Sequence, residues 1–332
     1  MAADSENILV KSTEDTTLEY GINPEQRPTE EYIKNGLIIL DKPRGPTSHQ
    51  TAAWVKEILG VEKAGHSGTL DPNVSGVLPI AIEDSAKILD YLLGEDKEYI
   101  AVMRVHAELP KDKIEKTLKY FQGEIYQKPP LKSAVKRQLR TRKIYKIEPI
   151  EIDCRNVLIK INCEAGTYIR KLIHDIGLVL GTGAHMQELR RTKAGQFTEQ
   201  ESATLHDLKD AMQTYLEEKD ETQLRQIIKP VEYAVKNMPK IWLKDTAVDA
   251  ICHGASLAMP GIAQLNPNIK KDKTIALMTL KGELIAIATS QHNTQELLKK
   301  QHGTAATPQR VIMKPNTYLK HWKTKTSQNQ PE

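Results

Sequence analysis

Gly65-His66-Ser67-Gly68-Thr69-Leu70-Asp71-Pro72, continuing as Asn73-Val74-Ser75-Gly76-Val77-Leu78-Pro79-Ile80, sets a single carboxylate among glycines and hydroxyl side chains and then turns apolar. Glycines let a backbone approach a ligand closely, and Pro72 fixes the chain just after the acid. Amide and hydroxyl donors around a carboxylate favour its charged form, and a charged carboxylate serves as nucleophile or electrostatic stabiliser. An isolated loop of this kind also reads as a tight turn capped by its own aspartate. The apolar run after it predicts a strand over Gly76–Ile82.

Further blocks stand on either side in a fixed order. Asp41-Lys42-Pro43-Arg44-Gly45-Pro46-Thr47-Ser48 precedes the loop, while Lys97-Glu98-Tyr99, Gly166-Thr167-Tyr168-Ile169-Arg170 and Leu189-Arg190-Arg191-Thr192 follow it. Together with GHSGTLDP and SGVLPIAI they resemble the motifs of the TruB family of pseudouridine synthases. The wording HSGTLDPNVSG, the long extension before Leu37 and the C-terminal region are most similar to the archaeal and eukaryotic dyskerin branch.

Reading outward, Leu37–Leu40 predicts a short strand, and Thr47 or Ser48 caps a helix with Ala52, Val55, Ile58 and Leu59 on one face and Gly60 as its stop. A helix is expected over about Ser85–Leu93 and another over Lys111–Phe121. Tyr99, Ala101, Met103 and Val105 alternate on one strand face. Ile144–Cys163 reads as strands, and a helix-like stretch leads to Arg190. Ile169, Leu172, Ile173, Ile176 and Leu180 form one helical stripe, with Tyr168 and Arg170 off it at the helix start. A cation there opposes the positive end of the helix dipole, so Arg170 needs an anionic partner, either Asp71 or a phosphate. Strands interspersed with helices without strict alternation predict a mixed or antiparallel α/β sheet.

Length divides the chain. At 332 residues it suggests two domains: an N-terminal extension over 1–31, docked elsewhere on the molecule; a catalytic domain over 32–238; a second domain over 239–325; and a tail over 326–332. An acidic helical stretch, Tyr215–Lys229, leads into the linker at Pro230 and Pro239. Val248–Ala255, Met259-Pro260-Gly261 and Lys281–Ile287 resemble a PUA domain, a small, mostly β RNA-binding module. Cys154, Cys163 and Cys252 form no CxxC pair, which reads as reduced thiols of an intracellular protein with neither disulfide framework nor metal site. No apolar run is long enough for a membrane span.

Charge is unevenly spread. The first 31 residues carry eight acids and two bases, while Lys128–Lys146 holds eight Lys and Arg and no acid, and Leu297–Pro331 holds seven and no acid. Such tracts suit a polyphosphate partner, so Lys136, Arg137 and Arg140 are expected to meet RNA; a solvated surface loop is the plainer alternative.

The resemblance implies an RNA pseudouridine synthase that needs no cofactor, with Asp71, Tyr99, Tyr168 and Arg170 as its catalytic group. It implies RNA contacts at His66, at Lys42 beneath the active-site floor, and at Gly254, which also reads as a turn residue. Arg190 and Arg191 reach substrate phosphate, or one of them forms a structural ion pair. The expected setting is the catalytic subunit of a guide-RNA-directed H/ACA ribonucleoprotein. Its partners there are guide RNA, substrate RNA and small protein subunits, with no membrane, in the cytoplasm if archaeal and the nucleolus if eukaryotic. A stand-alone tRNA pseudouridine synthase is the alternative, and an RNA-binding scaffold without activity fits poorly with Asp71, Tyr99 and Arg170 all present.

Overall fold

Strand β1 (Gly36–Lys42) lies antiparallel to β2 (Ser75–Ile82), with Leu40 opposite Leu78 and Lys42 opposite Gly76. Both are buried along nearly their whole length, hence their continuous apolar sequences. The computed structural model describes residues 8–129 and 136–320, so the 326–332 tail and part of the basic tract lie outside the described residues. The chain forms two compact units, one of 37–82 with 89–228, the other of the residues up to 36, 83–88 and those from 229 onward.

The first unit continues its sheet with β3 (Lys97–Val105), β4 (Gly123–Gln127), β5 (Arg140–Asp153), β6 (Asn156–Cys163) and β7 (Ala184–Ala194). From β1 the order is β1-β2-β7-β3-β6-β5-β4. The β2–β7 junction is parallel, pairing Ser75 with Arg190 and Gly76 with Arg191. The other neighbours on this path are antiparallel. This is the mixed sheet that the element pattern predicts.

Helix α1 (Ser48–Leu59) starts at Thr47, whose side chain accepts the Gln50 amide at 3.0 Å, and ends at left-handed Gly60. Helices α2 (Lys111–Tyr120) and α3 (Ile169–Leu180) pack on the sheet. Every residue of the α3 stripe is buried against the β3 face of Tyr99, Ala101, Met103 and Val105 and against Ile159 and Ile161 of β6.

Three local expectations need correction. The helix-like stretch before Arg190 is strand β7: Met, Gln, Glu and Leu favour helix, but pairing on both sides with β2 and β3 overrides propensity. Ser85–Leu93 is a 3-10 turn over Glu83–Ile88 followed by a short helix, Leu89–Leu93. The acidic segment begins earlier, as α4 (Leu205–Glu218) with a Thr204–Asp207 capping box, and breaks at left-handed Lys219 before Thr222–Ile227.

The second unit is built on β8 (Lys240–Leu243), α5 (Asp245–Cys252), β9 (Ile262–Leu265), β10 (Thr274–Thr279), β11 (Leu284–Ser290) and β12 (Thr304–Val311). Its core gathers Ile241, Val248, Leu257, Leu277, Ile285 and Leu297. The N-terminal segment belongs to this unit. Leu9–Val10 adds an edge strand to β9, and the hydroxyl of Thr16 and amide of Thr17 donate to Asp245. The Ile22 amide and the Tyr318 hydroxyl donate to buried Glu283.

Candidate active site

The Asp71 loop is held from beneath. Lys42, fully buried, donates to the carbonyls of Pro43 at 2.9 Å, Pro72 at 3.3 Å and Val74 at 2.8 Å. Burial lowers its pKa, against the pull of the Asp71 charge. The Gly45 amide donates to the Pro72 carbonyl at 2.8 Å, and Gly45 has a φ of 118° that favours glycine. The Asp41–Ser48 block is therefore the base on which the loop rests. Lys42 presents no surface to a phosphate.

Behind the loop, the parallel β2–β7 junction brings in Arg191. Its guanidinium is buried, donates to the carbonyls of Val77 at 2.7 Å and Gly68 at 3.0 Å, and its charge acts on the Tyr99 hydroxyl. One side chain thus ties strand and loop together beside Tyr99. Gly76 passes so close that a Cβ on it would lie 2.2 Å from the Arg191 carbonyl oxygen. Tyr99 is 9% exposed, and burial raises its pKa while Arg191 opposes the rise. Arg190 forms a two-pronged pair with Asp41 at 2.9 Å and bonds Glu199 at 2.8 Å, which together raise its pKa further. The structure thus puts Arg191 inside the fold and gives Arg190 two carboxylate partners.

Helix α3 delivers the remaining groups. Arg170 in its first turn donates to Asp71. Both side chains stay open, Arg170 at 60% and Asp71 at 53% exposure. Tyr168, at the helix start, is gripped by buried Gln127, whose Nε2 donates to its carbonyl and whose Oε1 accepts its amide. His66, half-buried, has its Nδ1 enclosed without a hydrogen-bond partner among the described residues; burial, then His49 and Arg191, lower its pKa. Lys136 and Arg137 are exposed and Arg140 half-buried. Arg137 and Arg140 direct hydrogen bonds to the carbonyls of Pro129 and Lys136. Gly254 lies in the other unit at a φ of 90°, with no described residue beyond its chain neighbours within 4 Å of where a Cβ would sit.

Three residues of this site carried no functional reading from sequence. Ser48 clamps Leu70 by both backbone groups. Lys97, 6% exposed, donates to the carbonyls of Leu93 and Glu95, and burial followed by Arg191 pushes its pKa down to about 8. Gln127 announces itself only by ending a strand just ahead of the basic tract. Among the described residues no group of three or more His, Cys, Asp or Glu side chains could hold a metal, and no helix is long and apolar enough to cross a membrane.

Residues 56–169 match the TruB family pseudouridylate synthase N-terminal domain, and 170–236 match the tRNA pseudouridylate synthase B C-terminal domain. A probable tRNA pseudouridine synthase B of Methanosarcina barkeri is 53% identical over 323 residues, covering 97% of this chain and 96% of that protein. The chain belongs to the TruB family of pseudouridylate synthases. The corresponding Pyrococcus furiosus protein is 52% identical over 317 residues, covering 95% of this chain and 93% of its own. Two further domains match this TruB-family enzyme, a PUA domain at 239–312 and a DKCLD domain at 2–52. Among solved structures, a chain in an H/ACA RNP bound to a substrate RNA containing 2'-deoxyuridine superposes with a TM-score of 0.86 at 49% identity, covering 95% of this chain and 97% of that one. A chain in a Cbf5-Nop10-Gar1 complex gives 0.86 at 51% identity, covering 96% and 97%.

A TruB-family enzyme is an isomerase acting on RNA. What the site offers such chemistry is an accessible carboxylate beside an accessible cation, with a buried tyrosine hydroxyl behind them. The cation offsets the charge of that carboxylate, while the protonated hydroxyl can both donate and accept.

Proposed function

We propose that this pseudouridine synthase is the catalytic subunit of a guide-RNA-directed H/ACA ribonucleoprotein. The observation that carries the reading is its end-to-end likeness to chains solved in H/ACA complexes. The DKCLD match at residues 2–52 supports it. A guide RNA selects the uridine, and small protein subunits such as the Nop10 and Gar1 of those complexes join the catalytic domain. The PUA domain, with Gly254 at a helix-ending turn, holds the guide. An archaeal-type particle of this kind works in the cytoplasm.

In this reading the target uridine is flipped out of its helix into the site. Asp71 attacks or deprotonates the ribose, the glycosidic bond to nitrogen breaks, the uracil turns, and a bond forms through carbon 5. The atoms of the nucleotide are conserved, so no cofactor enters the balance. Tyr99 handles the carbon 5 proton, Arg170 holds Asp71 against the substrate, and Tyr168 packs beside them. His66, Lys136, Arg137 and Arg140 meet RNA, while Lys42 and Arg191 act from below by fixing the loop and Tyr99.

The test is pseudouridine formation by purified protein on a target RNA with and without a matching guide. Dependence on the guide supports the reading; equal rates without guide would turn it into the stand-alone tRNA enzyme suggested by the relatives' names. Asp71→Asn, which removes charge but little volume, is expected to abolish turnover while leaving RNA affinity within a few-fold. Parent-like turnover by that variant would remove Asp71 from the chemistry.

A further inference from the structure

Gln127 is the last residue of edge strand β4 and is 2% exposed. Its side-chain amide makes two bonds to a single residue, accepting the Tyr168 N–H at 2.9 Å and donating to the Tyr168 carbonyl at 3.1 Å. A primary amide meets both needs at once because it carries a donor and an acceptor side by side. The same Tyr168 carbonyl accepts the Leu172 amide at 3.0 Å and so opens helix α3. Arg170, two residues on, reaches Asp71.

The turn before Tyr168 is braced separately. The Glu164 amide donates to the Lys143 carbonyl and the Lys143 amide to the Glu164 carboxylate, both at 2.9 Å, and the Thr167 hydroxyl donates to the Glu164 carbonyl at 2.7 Å. Gln127 continues that bracing onto Tyr168, from a strand position paired with Arg140 where the basic tract joins the sheet.

We propose that Gln127 is a positioning residue for the isomerisation, setting the start of α3 so that Arg170 and Tyr168 stand correctly against Asp71. The inference rests on the reading of Asp71 and Arg170 as the catalytic pair. Gln127 touches no substrate; it acts through the backbone of Tyr168.

The test compares Gln127→Met and Gln127→Glu with the parent, as full-length protein assembled with guide and substrate RNA, by single-turnover rate, RNA affinity and thermal melting. Methionine keeps the volume and loses both bonds. A misplacement on the scale of an ångström costs on the order of 100-fold in rate, with RNA affinity expected within a few-fold. Glutamate is the sharper probe. Ionised, it only accepts, and it sets a negative oxygen against the Tyr168 carbonyl. Protonated, it again donates and accepts as the amide does, and burial favours that form. The charged groups on the joined elements are Glu124 of β4, Arg140, Arg142, Lys143, Lys146, Glu148, Glu151 and Asp153 of β5, and Arg170, Lys171, His174 and Asp175 of α3, and they are common to parent and variant. Relative to the parent at each pH, Gln127→Glu is expected to regain rate as pH falls from 8 to 6, and Gln127→Met to regain none. Parent-like rates in both variants, or losses that follow melting temperature without pH-dependent recovery in Gln127→Glu, would overturn the proposal. Loss of the underlying reading shows separately, as turnover by Asp71→Asn.

Discussion

The Ser48 hydroxyl accepts the Leu70 amide at 2.8 Å and donates to the Leu70 carbonyl at 3.0 Å, immediately before Asp71. A side chain at the start of helix α1 thus takes the place of a strand partner for the loop's backbone. Ser48 is 1% exposed, so bulk solvent does not reach it.

Ser48→Ala leaves both Leu70 groups without their buried partner. The expected loss of stability is about 1–3 kcal/mol, measured by urea unfolding, together with a slower single turnover at nearly unchanged RNA affinity. An unfolding midpoint and rate equal to the parent's would show that the loop holds itself.

Tyr99→Phe keeps the ring and removes the hydroxyl. If that hydroxyl moves the carbon 5 proton, the single-turnover rate falls by about 10²–10⁴-fold. Because the hydroxyl also stands beside the charge of buried Arg191, stability should fall as well. A variant that loses stability but retains the parental rate at a temperature where it is fully folded would leave Tyr99 a structural partner of Arg191 only.

The basic tract should act on the target strand. Replacing Lys136, Arg137 and Arg140 by alanine is expected to slow modification more than it weakens guide binding. For every phosphate that the variant no longer neutralises, the slope of log affinity against log salt falls by about 0.7–0.9. Titrations with guide alone and with substrate, across salt, separate the two. A triple variant whose guide affinity drops as severely as its rate would make the tract a guide-binding surface.

Lys97 gives the protein an alkaline dependence whose sign is fixed. Its folded pKa of about 8 lies below the ordinary lysine value of 10.5, so between these values the unfolded chain binds more protons and stability rises with pH. Below about pH 8 both states are protonated and the contribution is flat. Cys163 and Cys252, pushed up to about 12 by burial, work in the opposite direction around and above the ordinary thiol value of 9.0, so the Lys97 contribution over pH 8–9 is read as the difference between parent and variant. Stability should rise there by about 1 kcal/mol per pH unit, and Lys97→Met should lack that rise. Identical slopes for parent and variant in urea unfolding at pH 8 and pH 9 would refute the assignment.

The elements around this site were legible where burial leaves a period. The α3 stripe from Ile169 to Leu180 and the β3 alternation from Tyr99 to Val105 each face one core, and their sequences say so. Strand β7 was not, because between β2 and β3 its pairing rather than its composition decides its conformation. Asp71 and Arg170 stood out by type and position, one as a lone acid among donors, the other as a cation at the wrong end of a helix. Whether Arg190 or Arg191 would be solvent-facing could not be read from adjacent identical residues. Strand alternation sends them to opposite faces, and which face is buried depends on β2 and on Tyr99. Gln127 was silent because a buried glutamine has no period and no charge; its meaning lies wholly in Tyr168 across the fold.

Arg191 reaches back 123 residues to Gly68 and 114 residues to Val77. During synthesis, the loop that carries Asp71 therefore emerges long before the strand that braces it. At ribosomal rates of about 5–20 residues per second, the interval is roughly 6–25 s. Through that time the nascent chain holds its aspartate in a loop with no Arg191 behind it and no β7 beside Gly76. A chain halted before β7 would contain every group from Lys42 to Arg170 and still lack the working site. The site is completed late, once β7 has joined the sheet.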